Sequence, residues 1–154
     1  MSRDASFEDG AERPLRLVAR DADDLTVIAS LCQDAVLTGA DLTFRRKERR
    51  FALLLNRLRR EDGGDHGVER VRATLVFDDV EAVRSQGLAP GDGDEVLSLL
   101  DIGFEPGEDG TGTVRLIFAG DGEIEAKVET LEAVLRDVTR PYVAPSGQVP
   151  DHGA

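Results

Sequence analysis

The chain has 154 residues, of which 40% are hydrophobic and 32% charged, and a formal net charge of −12. That length suits one domain, burying about 70% of the surface its unfolded form exposes, while a pI near 4.6 sets up a field that repels phosphates and disfavours a general nucleic-acid binder. The single cysteine, Cys32, excludes an intramolecular disulfide and a thiolate zinc site, and no apolar run approaches the roughly twenty residues of a membrane-spanning helix.

Residues 1–14 (MSRDASFEDGAERP) are polar and acidic, without the apolar centre of a secretory signal. They predict a cytoplasmic protein whose first segment is disordered, ahead of a single domain over 15–143. Leu15, Leu17 and Ala19 alternate with Arg16, Val18 and Arg20, a period of two that predicts a half-buried strand. Asp21 is then placed to cap a helix. Asp23 and Asp24 suit the positive end of its dipole, and Leu25, Ile28, Ala29, Cys32 and Ala35 or Val36 recur at helical spacing until Gly39.

From Asp41 the pattern turns to strands: Leu42 to Phe44, a charged turn at Lys47-Glu48, then Phe51 to Leu55, which is apolar on both faces and therefore central. After the glycine-rich stretch 61–67, strands are expected near Val71 to Phe77 and Val80 to Leu88, separated by an Asp78-Asp79 turn. Across Val96 to Phe104 the apolar positions change phase, which predicts a β-bulge near Leu99-Leu100. Val114 to Phe118 and Glu123 to Val128 flank Gly120-Asp121-Gly122 and predict a hairpin. Leu131, Val134, Leu135 and Val138 give a helical stripe that Pro141 would stop, and residues 144–154 read as a disordered tail. The expected fold is α+β: a mostly antiparallel curved sheet or half-open barrel of about seven strands, with one helix after the first strand and one C-terminal helix.

Residue types suited to catalysis are few. His66 lies in the glycine-rich stretch and His152 in the tail, so a Ser-His-Asp or Cys-His centre is disfavoured. Cys32 falls on the apolar helix stripe, where a thiol packs as a small hydrophobe. Asp21, Asp23 and Asp24, with the Gln33 amide and Asp34 further along the helix, form the sharpest carboxylate cluster, although capping and solvation account for each of them. Asp92-Gly93-Asp94-Glu95 lacks the ligand spacing of a calcium loop, and the glycines match no phosphate-binding template, so no metal and no cofactor are expected.

Charge is distributed unevenly. Residues 45–72 hold ten Arg or Lys against five Asp or Glu, inside a chain that holds 19 against 31. Arg45, Arg46, Lys47, Arg49, Arg50 and Arg57 are the candidate binding residues, on a hairpin whose field opposes that of the rest. The alternative is a solvated edge in which charge prevents strand-to-strand aggregation, with cross-strand pairs to Glu61 and Glu69. With no Trp and one Tyr for base stacking, an acidic protein partner or self-association fits this surface better than RNA.

Leu15 to Leu25, Gln33 to Val36, Lys47 to Arg57 and Phe104-Glu105-Pro106-Gly107 together resemble a family of small uncharacterised alphaproteobacterial proteins, a domain of unknown function, over about Leu15 to Asp137. The resemblance implies a bacterial cytosolic protein and offers no catalytic residues to carry over. The function expected from the residues is a non-enzymatic interaction domain using the basic hairpin. The alternatives are an enzyme or ligand-binding protein with a carboxylate site at Asp21, Asp24 and Asp34, and an RNA-binding accessory protein.

Overall fold

The computed structural model describes residues 14–59, 69–91 and 93–138, together with the backbone of 142–143. The expected terminal disorder, His66, His152 and Arg60 all lie outside the described residues. β1 (Arg16–Ala19) leads into α1 (Ala22–Cys32). Asp21 sits in extended backbone and its carboxylate accepts from the Asp24 N–H at 2.8 Å, Asp23 and Asp24 occupy the first turn, and Leu25, Ile28, Ala29 and Cys32 form the buried face. The helix ends sooner than its apolar spacing suggests. Gln33 is extended and Asp34 takes a left-handed φ of 69°, so the Asp34 N–H donates to the Leu99 carbonyl instead of continuing the helix.

That early stop releases β2 (Val36–Thr38), a three-residue strand between β4 (Arg50–Arg59) and β7 (Val96–Pro106). The other strands are β3 (Leu42–Arg45), β5 (Glu69–Phe77), β6 (Val80–Gln86), β8 (Gly112–Phe118), β9 (Glu123–Val128), β10 (Ala133–Asp137) and β11 (Tyr142–Val143). Every described pairing is antiparallel. The sheet runs β1-β10-β5-β4-β2-β7-β8-β9-β6, with β3 beside β4 and β11 beside β5, and among the described residues its ends do not pair with each other.

Two adjacent pairs turn a corner together. β5 passes into β6 through Asp78-Asp79, and β9 passes into β10 through residues 129–132. Asp78 N–H donates to the Glu132 carbonyl and Glu129 N–H to the Asp79 carbonyl, each at 3.0 Å, so the corners are stitched to one another. The inward side chains on both sides of the corner, including Phe51, Leu53, Leu75, Phe77, Leu99, Leu116, Phe118 and Ile124, form one core with the buried face of α1. α1 lies chiefly on β7 and β1.

Among the described residues the sheet is antiparallel, carries one α-helix and is open, which agrees with the α+β class and the mostly antiparallel sheet expected. Two details are corrected. Among the described residues there are eleven strands instead of about seven, and residues 133–137 form a strand instead of a C-terminal helix. Leu131, Val134, Leu135 and Val138 fit a period of 3.6, yet Ala133, Leu135 and Asp137 alternate with Val134 and Arg136 just as well. Pairing with both β1 and β5 decides between the periods. The phase change in β7 is a β-bulge, with the register slipping between Leu99 and Asp101 around Leu100. Among the described residues, no helix is long and apolar enough to cross a membrane.

Candidate binding surface

The hairpin between β3 and β4 turns through a 3₁₀ segment, Arg46–Glu48, and Arg49 in left-handed backbone. Its arginines meet the acids of the corner. One Arg49 guanidinium nitrogen lies 2.7 Å from a Glu129 carboxylate oxygen and 3.9 Å from Glu81. Arg50 Nε donates to Asp78 Oδ1 at 2.8 Å, and Arg45 lies 3.7 Å from Glu48. The hydrogen bond that Arg49 donates to the Glu129 carboxylate holds the Arg49 pKa above its ordinary value, and the one donated to Asp78 does the same for Arg50. A main-chain bond from Val80 N–H to the Arg49 carbonyl, 2.9 Å, closes the attachment. Arg46 stacks 5.3 Å from the Phe44 ring centre, and Lys47 is exposed.

Arg57 is the exception among the expected binding residues. It is 0% exposed, because β4 alternates Phe51, Leu53, Leu55 and Arg57 toward the core. Its guanidinium grips the Asp137 carboxylate through Nε–Oδ1 and Nη2–Oδ2 contacts of 3.1 Å each. Arg57 therefore belongs to the interior and not to a hairpin surface, a correction that follows from the parity of the strand. Arg59 continues that parity and pairs with Glu69 at 3.3 Å.

A second basic surface lies on the opposite face of β1, β10, β5 and β4. The register aligns Val18, Val134, Val76 and Ala52 in one outward row, then Arg16, Arg136, Thr74 and Leu54 in the next. Arg72, Asn56, Val36 and Ser98 make a third row, and Arg70 with Leu58 a fourth. Toward the corner the preceding row is neutralised, with Arg20 3.8 Å from Glu132 and Arg50 on Asp78. Beyond the valine row no Asp or Glu occupies these aligned positions. Arg16, Arg70 and Arg136 make no ion pair among the described residues. Asn56 Oδ1, at the middle of this face, is a buried acceptor without a hydrogen-bond donor.

Arg16 and Arg136 stand directly opposite one another. Asp137 N–H donates to the Leu15 carbonyl at 2.9 Å, which makes Leu15 and Asp137 a hydrogen-bonded pair. By alternation Arg16–Arg136 is then a non-hydrogen-bonded pair, the kind whose side chains lie closer together. Like charges at that position destabilise an isolated sheet.

The carboxylates on the helix do not converge. Asp21 is occupied as the cap, Asp24 accepts from Arg20 N–H at 3.4 Å, and both are exposed at the start of α1. Asp34 lies past the other end, beyond an eleven-residue helix that spans roughly 16 Å. A cleft of about 370 Å³ opens beside Asp21, between Phe104, Thr111 and Leu131, without Asp24 or Asp34 in its wall. A second depression of about 420 Å³ lies along β6 and β9, where Arg84 and Glu125 pair at 2.8 Å. Cys32 is buried in the core.

Sequence reasoning found the basic composition but missed the outward arginine rows, because Arg16 and Arg136 lie 120 positions apart in sequence and meet only through the β1–β10 register. The usable signal was the alternation of Arg16 with Leu15 and Leu17. A family model described as a protein of unknown function (DUF2948) matches residues 15–152. No curated protein and no solved structure matches the chain.

Proposed function

We propose that this chain, which belongs to the DUF2948 family of proteins of unknown function, is a non-enzymatic interaction domain that receives an acidic protein partner on the outward face of β1, β10, β5 and β4. The observation that carries this is the direct opposition of Arg16 and Arg136, with no acid in the same row. Two guanidiniums held side by side repel each other, and a carboxylate placed between them turns that repulsion into attraction. The half-buried valines of the neighbouring row add apolar contact area, as the centre of a protein interface requires. The hairpin tip is less suited, since Arg45, Arg49 and Arg50 are already matched by acids of the same chain.

A nucleic acid fits this face poorly. The four aligned rows carry a single aromatic position, Tyr142 opposite Arg70 at the end of the face, which is too few for a series of stacked bases, and a chain of net charge −12 repels a polyanion at long range. The test is affinity capture with wild type, with an Arg16→Glu/Arg136→Glu variant and with an Arg46→Glu/Lys47→Glu hairpin variant. An acidic protein lost only with the first variant, and released by salt, supports the proposal. Capture of the same protein by all three overturns it, as does recovery of RNA in place of protein.

A further inference from the structure

We infer that the acidic partner adds a strand to the open edge of β1, with one of its carboxylates set against Arg16 and Arg136. The inference rests on the acidic-partner proposal above and specifies how the partner is held. β1 ends the sheet path and pairs only with β10 among the described residues. Because Leu15–Asp137 is hydrogen-bonded, Leu17–Leu135 and Ala19–Ala133 are the bonded pairs along β1. The N–H and C=O groups of Arg16 and Val18 then point away from β10, toward the open side. Such a row of unmatched main-chain groups is what a peptide uses when it extends a sheet.

The two ends of the sheet are treated differently. β6, at the far end, carries a register slip between Val80 and Ala82, and the charged side chains of Glu81 and Arg84 stand along it. A bulge and alternating charges are the usual protection of an edge against pairing. β1 has neither: its register with β10 is unbroken over all four residues, and Arg16 is its one charged side chain. An added strand would place one outward residue beside Arg16 and the next outward residue, two positions along, beside Val18. The matching segment is therefore extended, with a carboxylate and an apolar residue two positions apart on one face.

The probe is a capped eight-residue peptide, Glu-Thr-Val-Thr-Glu-Thr-Val-Thr, added in excess to the full chain while amide hydrogen exchange is followed by NMR. Exchange of the Arg16 and Val18 amides is expected to slow by at least about tenfold, the protection of a newly formed main-chain bond, while the Leu17 amide, already bonded to β10, changes little. The same peptide N-methylated at alternate residues keeps its charge but cannot pair, and it should give no protection. Binding of the methylated peptide with equal affinity overturns strand addition while leaving an acidic-partner face intact. Undiminished binding of the unmethylated peptide to Arg16→Glu/Arg136→Glu overturns the acidic-partner face itself. Absence of any binding or protection overturns the strand-addition inference.

Discussion

Arg57 and Asp137, 80 residues apart in sequence, meet in the core through two parallel hydrogen bonds of 3.1 Å. The same carboxylate also accepts the Leu15 N–H at 3.0 Å through Oδ2, and the Asp137 N–H donates to the Leu15 carbonyl. One aspartate thus fixes the central strand β4, the C-terminal strand β10 and the entry to β1. An ion pair of this kind is strongly coupled, because removing one partner leaves the other charge desolvated and unmatched. Asp137→Ala is expected to cost roughly 3–5 kcal/mol in urea unfolding and to speed amide exchange in β1. Arg57→Met combined with Asp137→Leu should recover most of the loss, since neither charge then remains buried. A double variant as unstable as Asp137→Ala would show that the cost is one of packing.

Gly112 opens β8 beneath the Phe104 ring. A Cβ built at Gly112 would lie 2.5 Å from two ring carbons and 2.6 Å from the Glu105 carbonyl oxygen. The ring could rotate away, but the carbonyl belongs to the ladder between β7 and β8 and cannot move without breaking it. Gly112→Ala is therefore expected to destabilise by about 1–3 kcal/mol, the usual cost of overpacking. In a chain of this length that lowers Tm by several degrees, at roughly 2–4 °C per kcal/mol, measurable by calorimetry. An unchanged Tm would mean that the β7–β8 ladder yields more easily than its register suggests.

The fold could be read from the sequence wherever a single period applied. Leu42 to Phe44, Phe51 to Leu55 and Glu123 to Val128 lie within strands β3, β4 and β9. Reading failed where two periods coincided or where the decisive contact was remote. Leu131, Val134, Leu135 and Val138 fit a helix and a strand alike, and only the flanking β1 and β5 choose. Val36 continues the stripe of α1, but Asp34 has already left the helix to bond Leu99, 65 positions away. The candidate site suffered in the same way. Ten basic residues in 45–72 suggested a single charged patch, whereas strand parity sends Arg57 inward, the corner acids engage Arg49 and Arg50, and Arg70 and Arg72 join Arg16 and Arg136 on another face.

The hairpin attachment should respond to salt and be insensitive to neutral pH. Both guanidinium pKa values are raised by hydrogen bonds to carboxylates, so whatever stability they add is fully present below the unfolded arginine value, which lies far above neutral pH. That contribution disappears only as pH rises, in strongly alkaline solution, through the still higher folded value. Between pH 6 and 9 these two groups contribute no pH dependence. Both side chains are solvent-accessible, however, and added salt screens their partners. Exchange of the Val80 amide, which donates to the Arg49 carbonyl, is expected to quicken in Arg49→Glu, where Glu129 and Glu81 would face a third carboxylate. Exchange equal to wild type would show that the main-chain bond holds the hairpin without the ion pair.

Arg16 offers a way to separate stability from binding. In the isolated chain its guanidinium faces that of Arg136 in a non-hydrogen-bonded pair, and like charges so placed oppose sheet formation. Arg16→Glu converts the repulsive pair into an attractive one, and is expected to stabilise the chain by on the order of 0.2–1 kcal/mol. Thermal unfolding should show a rise of about 1–3 °C, larger at low than at high salt. The same substitution places a carboxylate where the partner's must go, so binding of the acidic peptide should fall at least about tenfold. A residue retained only for folding would not be improved by reversing its charge. If Arg16→Glu lowers Tm and leaves peptide binding unchanged, the arginine row serves the sheet and not a partner.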